Sequence, residues 1–108
     1  MSTATLSTPQ QIMERLEQIE QDLADRQLEL EEAALAWFRK KRDRERDWAV
    51  AFASAEGTDA KRKAHAIRES CHVGAEEEGR WEGLRAVVRV LETRATIGQS
   101  LLRSHGRA

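Results

Sequence analysis

The segment Glu56-Gly57-Thr58-Asp59 decides the fold, because it interrupts two long stretches of helical hydrophobic periodicity. Glycine often ends a helix, and Thr58 or Asp59 can cap the N-terminus of the next one. We therefore predict helices over residues 8–56 and 60–104, joined by a turn at 57–59. The predicted fold is all-α: a long two-helix antiparallel hairpin, coiled-coil-like, which forms one domain and self-associates into a helical bundle.

The start of the first helix is indicated by Thr8-Pro9-Gln10-Gln11, which offers a capping residue, a proline at the first helical position and a glutamine at the third. Residues 1–7 are small and polar and are predicted to form a disordered tail.

Folding about residues 57 and 58 would place Trp48 opposite Ile67, and Trp37 opposite the turn formed by residues 78–81. The first apolar stripe contains Ile12, Leu16, Ile19, Leu23, Leu30, Ala34, Trp37, Trp48, Ala51 and Ala55. The second contains Ala60, Ala64, Ile67, Cys71, Gly74, Trp81, Leu84, Val88, Leu91, Ala95 and Leu102.

The composition excludes several classes of protein. The 108 residues include 18 basic and 19 acidic side chains, and the net charge of -1 offers no overall attraction to nucleic acid or anionic membrane. No apolar run reaches the roughly 18–20 residues of a membrane span, and the N-terminus lacks the features of a signal peptide. The single cysteine, Cys71, suits a reducing compartment. We expect a soluble, intracellular protein with no membrane partner.

The densest basic segment lies in the first helix and is flanked by Trp37, Phe38 and Trp48. It consists of Arg39, Lys40, Lys41, Arg42, Arg44 and Arg46, and a second cluster, Lys61, Arg62 and Lys63, follows the turn. Cations could contact phosphates while an aromatic ring stacks on a base, which predicts a site for nucleic acid or an acidic partner. The alternative is a solvated face whose cations pair internally with Asp43, Glu45, Asp47 and residues 76–78.

The C-terminal half of the second helix is apolar around more of its circumference than one partner helix can cover. The surplus stripe contains Val87, Val90, Ile97 and Leu101. We predict that it forms an oligomer interface, or a site for a different protein, since an uncovered face would favour aggregation. The full predicted interface is Trp37, Trp48, Trp81, Leu84, Val87, Val88, Val90, Leu91, Ile97, Leu101 and Leu102.

The glycines within the second helix require an explanation, because each lowers the stability of the helix by about 1 kcal/mol relative to alanine. Ala75, Gly79 and Gly83 share one face, where the ring of Trp37 or a neighbouring backbone could approach closely. The alternative is a loose or bent helix.

Catalytic and metal-binding patterns are absent from the sequence. His65 and His72 lie about 10 Å apart along a helix, which is too far to hold one metal ion. No set of serine, histidine and aspartate or phosphate-binding loop occurs, so we expect no enzyme, cofactor, metal or small-molecule substrate.

Two stretches of the sequence are distinctive: Ala55-Glu56-Gly57-Thr58 with Lys61-Arg62-Lys63-Ala64, and Trp81-Glu82-Gly83-Leu84-Arg85 with residues 90–102. Both resemble small helical, coiled-coil proteins from the early region of tailed bacteriophages and prophages, often encoded beside recombination genes. The resemblance covers about half of the chain. It implies an accessory factor for DNA recombination or replication in the cytoplasm of a bacterial host cell. Such a factor acts by binding and has no catalytic residue to transfer to this chain.

The leading hypothesis is a homo-oligomeric, non-enzymatic adaptor, a dimer or larger, that contacts DNA or a recombination or replication protein through the basic segment. The alternative is an inhibitor or structural coiled-coil protein that binds a host or phage protein through the apolar face of the second helix. DNA binding should weaken steeply as salt rises, whereas apolar binding should change little.

Overall fold

The computed structural model describes residues 8–106, which form three helices and no strand. They are α1 (Pro9–Ser54), α2 (Asp59–Ser70) and α3 (Ala75–Gly106). The all-α prediction is confirmed. The tail predicted over residues 1–7 lies outside the described residues. None of these three helices is long and apolar enough to cross a bilayer.

Both predicted helix starts have the expected caps. The Thr8 hydroxyl accepts a hydrogen bond from the backbone amide of Gln11 at 3.2 Å. The side-chain oxygen of Gln11 in turn accepts one from the backbone amide of Thr8 at 3.0 Å. At the second start, the Thr58 hydroxyl accepts from the Lys61 amide at 3.3 Å, and Gly57 has φ +107°. These contacts satisfy amides that have no partner within their own helix.

The single helix predicted over 60–104 is wrong, because residues 71–74 separate α2 from α3. Gly74 has φ +78°, a left-handed conformation that an α-helix cannot contain. The backbone nevertheless stays hydrogen-bonded through the break. The Val73 amide donates to the Ser70 carbonyl, and the Glu78 amide donates to the Gly74 carbonyl. The sequence pattern placed Gly74 inside the apolar stripe and so missed its role as a helix break.

The chain divides into two compact units. The described part of the first, here the terminal unit, is residues 8–29 with 84–106; its most buried apolar side chains are Ile12, Val88 and Leu91. Leu16 of α1 lies directly over Gly98 of α3 in this unit. The terminal unit therefore packs the start of α1 against the C-terminal part of α3.

The central unit is Leu30–Gly83. Its buried apolar residues are Ala33, Trp37, Ala51 and Ala66. Buried Ser70 is satisfied because its hydroxyl donates to the Ala66 carbonyl at 2.7 Å. Small side chains fill most of this core, so the ring of Trp37 is its largest component.

The ring of Trp37 approaches a different glycine from those predicted. A Cβ at Gly74 would lie 3.0 Å from the Trp37 ring and 2.7 Å from the Cβ of Lys40, whereas a Cβ at Gly79 or Gly83 would have no neighbour within 4 Å. Close packing therefore explains Gly74, and nothing in the described residues explains Gly79 or Gly83. Trp37 accordingly faces Gly74 in the break.

We predict that Gly74→Ala lowers the free energy of unfolding by about 1–3 kcal/mol, because alanine resists a positive φ and its Cβ would clash with Lys40. The control, Gly79→Ala, meets open space inside a helix and should raise stability by about 0.5–1 kcal/mol. Urea unfolding followed by circular dichroism measures both. Equal effects of the two substitutions would contradict this explanation of the break.

Candidate functional site

The basic residues of the central unit divide into those that hold the fold and those that remain exposed. Arg44 and Arg62 each contact a backbone carbonyl and an aromatic ring, and Arg46 pairs with Asp43. Arg44 and Arg62 therefore make contacts within the fold, and their predicted binding of nucleic acid or an acidic partner stays a prediction.

Arg44 connects α1 to the break between α2 and α3. Its Nε donates to the Val73 carbonyl at 2.8 Å, its guanidinium lies 4.8 Å from the centre of the Trp37 ring, and Nη2 lies 3.5 Å from a carboxylate oxygen of Glu78. A planar guanidinium can make all three contacts at once, which a lysine ammonium cannot. The predicted pairing between the basic segment and residues 76–78 is thus realised at Arg44 and Glu78.

Arg62 makes a similar contact at the other turn. Its Nε and Nη2 both donate to the Phe52 carbonyl, at 3.2 and 3.1 Å, and its guanidinium lies 4.2 Å from the centre of the Phe52 ring. Phe52 lies in the last turn of α1, where carbonyls lack helical partners and a cation is favourable. Arg62 therefore caps α1 from α2.

Three of the remaining cations, Arg39, Lys41 and Arg42 of α1, make up what we call the basic surface. Arg39, Lys41 and Arg42 are exposed and make no hydrogen bond or ion pair with any residue in the range 8–106. Lys40, Lys61 and Lys63 are also exposed. Phe38 shares a helix face with Arg42, four residues on, and is itself 47% exposed.

The aromatic residues differ in what they offer a ligand. Trp37 is buried and cannot stack on a base. Trp48 is half-buried and stacks on Phe52, with centroids 5.1 Å apart. Phe38 meets Trp81 edge to face at 5.6 Å. Phe38 is therefore the aromatic side chain that the basic surface presents to solvent.

The terminal unit exposes a second surface, which we call the α3 stripe: Val87, Val90, Ile97 and Leu101. These four side chains are between 43% and 56% exposed, and they recur at helical spacing along one side of α3. Arg94 occupies the middle of the same side and is also exposed. The α3 stripe is adjacent to, and distinct from, the buried row that includes Val88 and Leu91.

Three residues of the predicted interface belong to the interior of the chain. Trp37, Val88 and Leu91 are each less than 9% exposed, so a partner could not reach them. Trp48, Trp81, Leu84 and Leu102 are half-buried. The part of that interface left open to a partner is essentially the α3 stripe.

An apolar groove runs beside the α3 stripe within the terminal unit. Its volume is about 230 Å³. Leu16, one of its lining residues, lies over the backbone of Gly98. The lining residues are Ile12, Arg15, Leu16, Ile19, Arg94, Ile97, Gly98 and Leu101.

Within residues 8–106, no group of three or more histidine, cysteine, aspartate or glutamate side chains could hold a metal ion. Comparison with protein-family models, curated proteins and solved structures finds no match to this chain. The functional argument therefore rests on the two surfaces.

Sequence reasoning missed the structural roles of Arg44, Arg62 and Gly74. The signal for the arginines lay in carbonyls at a helix end and in a turn that need a donor. Their partners, however, are 29 and 10 residues away in sequence. The signal for Gly74 was a glycine following a β-branched valine, which is weak by itself.

We predict that Arg44→Lys lowers the free energy of unfolding by about 1–2 kcal/mol, because lysine cannot keep the carbonyl bond and the ring contact together. The control, Arg42→Lys, changes an exposed residue by the same chemistry and should leave stability within about 0.5 kcal/mol of the wild type. Chemical unfolding of the three proteins measures this. Equal stability of both variants would exclude the proposed role of Arg44.

Proposed function

We propose that this chain is a non-enzymatic adaptor in phage DNA recombination or replication, which contacts nucleic acid through the basic surface and assembles through the α3 stripe. The observation that carries the nucleic-acid part is that Arg39, Lys41 and Arg42 stay exposed and unpaired within the described residues. The resemblance of the turn and of residues 90–102 to phage proteins supports the biological setting.

The chemistry of the basic surface suits a single strand. Arg39, Lys41 and Arg42 can neutralise phosphates, and Phe38 offers an exposed ring on which a base can stack. Asp43 is already paired with Arg46, so its charge opposes phosphate binding less than a free carboxylate would. These features favour binding without sequence preference, since none of these contacts reads base edges.

The α3 stripe supports the assembly part of the proposal. Four half-exposed branched apolar side chains on one helix face are costly to leave in water, and covering them with another helix would be favourable. No step of this function requires a bond to be made or broken in a ligand, so we assign no catalytic residue.

The second candidate is an inhibitor or structural coiled-coil protein that binds a host or phage protein through the α3 stripe alone. The exposure of Val87, Val90, Ile97 and Leu101 favours it. Salt separates the two candidates, because counterion release makes nucleic-acid binding weaken steeply with salt and apolar docking lacks that term.

We predict that the double variant Arg39→Glu, Arg42→Glu loses more than about tenfold in affinity for a fluorescent single-stranded oligonucleotide at low salt, because two phosphate contacts become repulsive. Fluorescence anisotropy across a salt series measures the affinity and its salt dependence. The matched control is Arg89→Glu, Arg103→Glu, which makes the same change in net charge on exposed residues of the terminal unit.

The control should bind more tightly than the double variant and close to the wild type. Equal losses in the two double variants would show that binding depends only on net charge and would reject the basic surface as a site. No binding by the wild type at low salt would reject the nucleic-acid function and favour the second candidate.

We also predict that Phe38→Ala weakens single-stranded binding by about 1–3 kcal/mol, because a base loses its stacking platform. The same variant should bind double-stranded DNA as the wild type does, since paired bases are not available to stack on a side chain. Anisotropy with both oligonucleotides tests this. An equal loss for both would assign Phe38 a structural role, through its contact with Trp81.

A further inference from the structure

Two apolar hollows meet at Arg94 in the terminal unit. One is the groove described above, between the start of α1 and the C-terminal part of α3. The other is a shallow hollow of about 260 Å³ on the neighbouring part of α3, and Ala86, Val87, Val90 and Leu91 line it together with Arg94. Arg94 therefore lies at the junction of two apolar surfaces that follow the α3 stripe.

The groove is lined by two cations and by no carboxylate from the described residues. Arg15 belongs to its α1 wall and Arg94 to its α3 wall. Both are exposed, and neither makes a hydrogen bond or ion pair with any residue in the range 8–106. Glu14 and Glu17 are near Arg15 in sequence, but the helix directs them to other faces and they do not line the groove. An acidic group that enters the groove would thus meet two unpaired arginines.

We propose that the α3 stripe and the groove beside it bind an acidic amphipathic helix of a different protein, whose apolar row carries a carboxylate opposite Arg94. The proposal rests on the assembly part of the proposed function and names the chemistry of the partner. Apolar side chains of that helix enter the two hollows, and its carboxylate pairs with the guanidinium groups of Arg94 and Arg15.

The spacing of the α3 stripe favours a helical partner. Its residues step by three and four, and they extend about 21 Å from Val87 to Leu101 at 1.5 Å per residue. The apolar anchors of a second helix repeat at the same steps, so they can meet the stripe along its whole length. An extended peptide would instead leave its backbone amides and carbonyls without partners, because the backbone groups inside a helix are already bonded to one another.

The size of the groove suits protein side chains. Its volume of about 230 Å³ lies below the roughly 300–1,000 Å³ of sites that enclose a drug-sized ligand. Leu16 already lies over the backbone of Gly98 there. One or two apolar side chains of a docked helix therefore match the groove better than a separate small molecule does.

Charge distinguishes this partner from a second copy of the chain. A second copy would bring its own Arg94 to a groove lined by arginines, and Glu92 is the sole acidic residue of α3 between Leu84 and Gly106. A helix with a carboxylate in its apolar row gains an ion pair instead. Because apolar side chains flank this pair on both sides, salt screens it less than it screens a pair on an open surface.

The test uses two matched synthetic peptides and the full chain. Each peptide is an amphipathic helix of about 18 residues, long enough to cover the stripe, with leucine at the positions that face α3. The peptides differ only at the central position of that row, which is glutamate in one and lysine in the other. By fluorescence anisotropy at low salt, we expect the glutamate peptide to bind about tenfold or more tightly than the lysine peptide.

The double variant Arg15→Glu, Arg94→Glu should reverse this preference by a similar factor, because the ion pair is restored with its charges exchanged. The matched control is Arg89→Glu, Arg103→Glu, which makes the same change in net charge at exposed residues that line neither hollow. It should keep the preference for the glutamate peptide. A preference that is the same in both double variants would overturn the role of the two arginines.

A third variant checks the apolar contact. Val90→Ala, Ile97→Ala should bind both peptides about tenfold or more weakly, with unchanged helical content by circular dichroism. Equal affinity of the wild type for the two peptides would overturn the acidic partner. If this variant still weakened both peptides, the assembly part of the proposed function would stand. Binding that does not depend on Val90 and Ile97 would remove the α3 stripe as an assembly surface and overturn both.

Two other occupants of the groove would be recognised in the same experiments. A wild type that is dimeric by sedimentation and excludes both peptides would assign the α3 stripe to a second copy. Displacement of the glutamate peptide by equimolar oleate would assign the groove to a free fatty acid. Either result would overturn the proposal. The nucleic-acid part of the proposed function is tested separately, because that experiment changes residues of the central unit.

Discussion

The packing around Arg44 is the constraint on which the central unit depends. One guanidinium bonds the Val73 carbonyl, covers the Trp37 ring and pairs with Glu78, so α1 is tied directly to the residues that separate α2 from α3. The break is possible only because Gly74 has φ +78° and no Cβ where Trp37 and Lys40 approach. Arg62 makes the same kind of contact at the first turn: its guanidinium donates to the Phe52 carbonyl and lies over the Phe52 ring. Both turns are thus held by an arginine that an aromatic ring positions.

This use of arginine limits what the basic segment can bind. A run of cations in the sequence suggests one continuous charged surface, yet its members have different partners: Arg44 is half-buried, Arg46 pairs with Asp43, and Arg39, Lys41 and Arg42 are exposed. A side chain that already satisfies a helix-end carbonyl would have to break that bond to reach a phosphate. The surface proposed for nucleic acid is accordingly smaller than the segment, and its exposed aromatic residue is Phe38, since Trp37 is needed for packing.

The apolar residues divide in a comparable way. Hydrophobic periodicity identifies two neighbouring rows on α3, but it cannot say which row the chain covers by itself. In the terminal unit the row with Val88 and Leu91 is buried, and the α3 stripe is left exposed. The difference follows from the choice of row that α1 packs against, which brings Leu16 over Gly98. A residue in the covered row stabilises the monomer, whereas a residue in the α3 stripe is available for a partner.

The sequence by itself determined the helical class, the turn at Gly57 and the caps at Thr8 and Thr58, because each depends on residues within a few positions of one another. The surplus of apolar side chains on the C-terminal half of α3 was also readable, since helical spacing alone reveals it. Only the tertiary structure decided that Gly74 breaks the second helix, that Arg44 and Arg62 cap distant carbonyls, and which apolar row is buried. These features depend on contacts between residues far apart in the chain, and local propensity carries no information about which side chains will meet there.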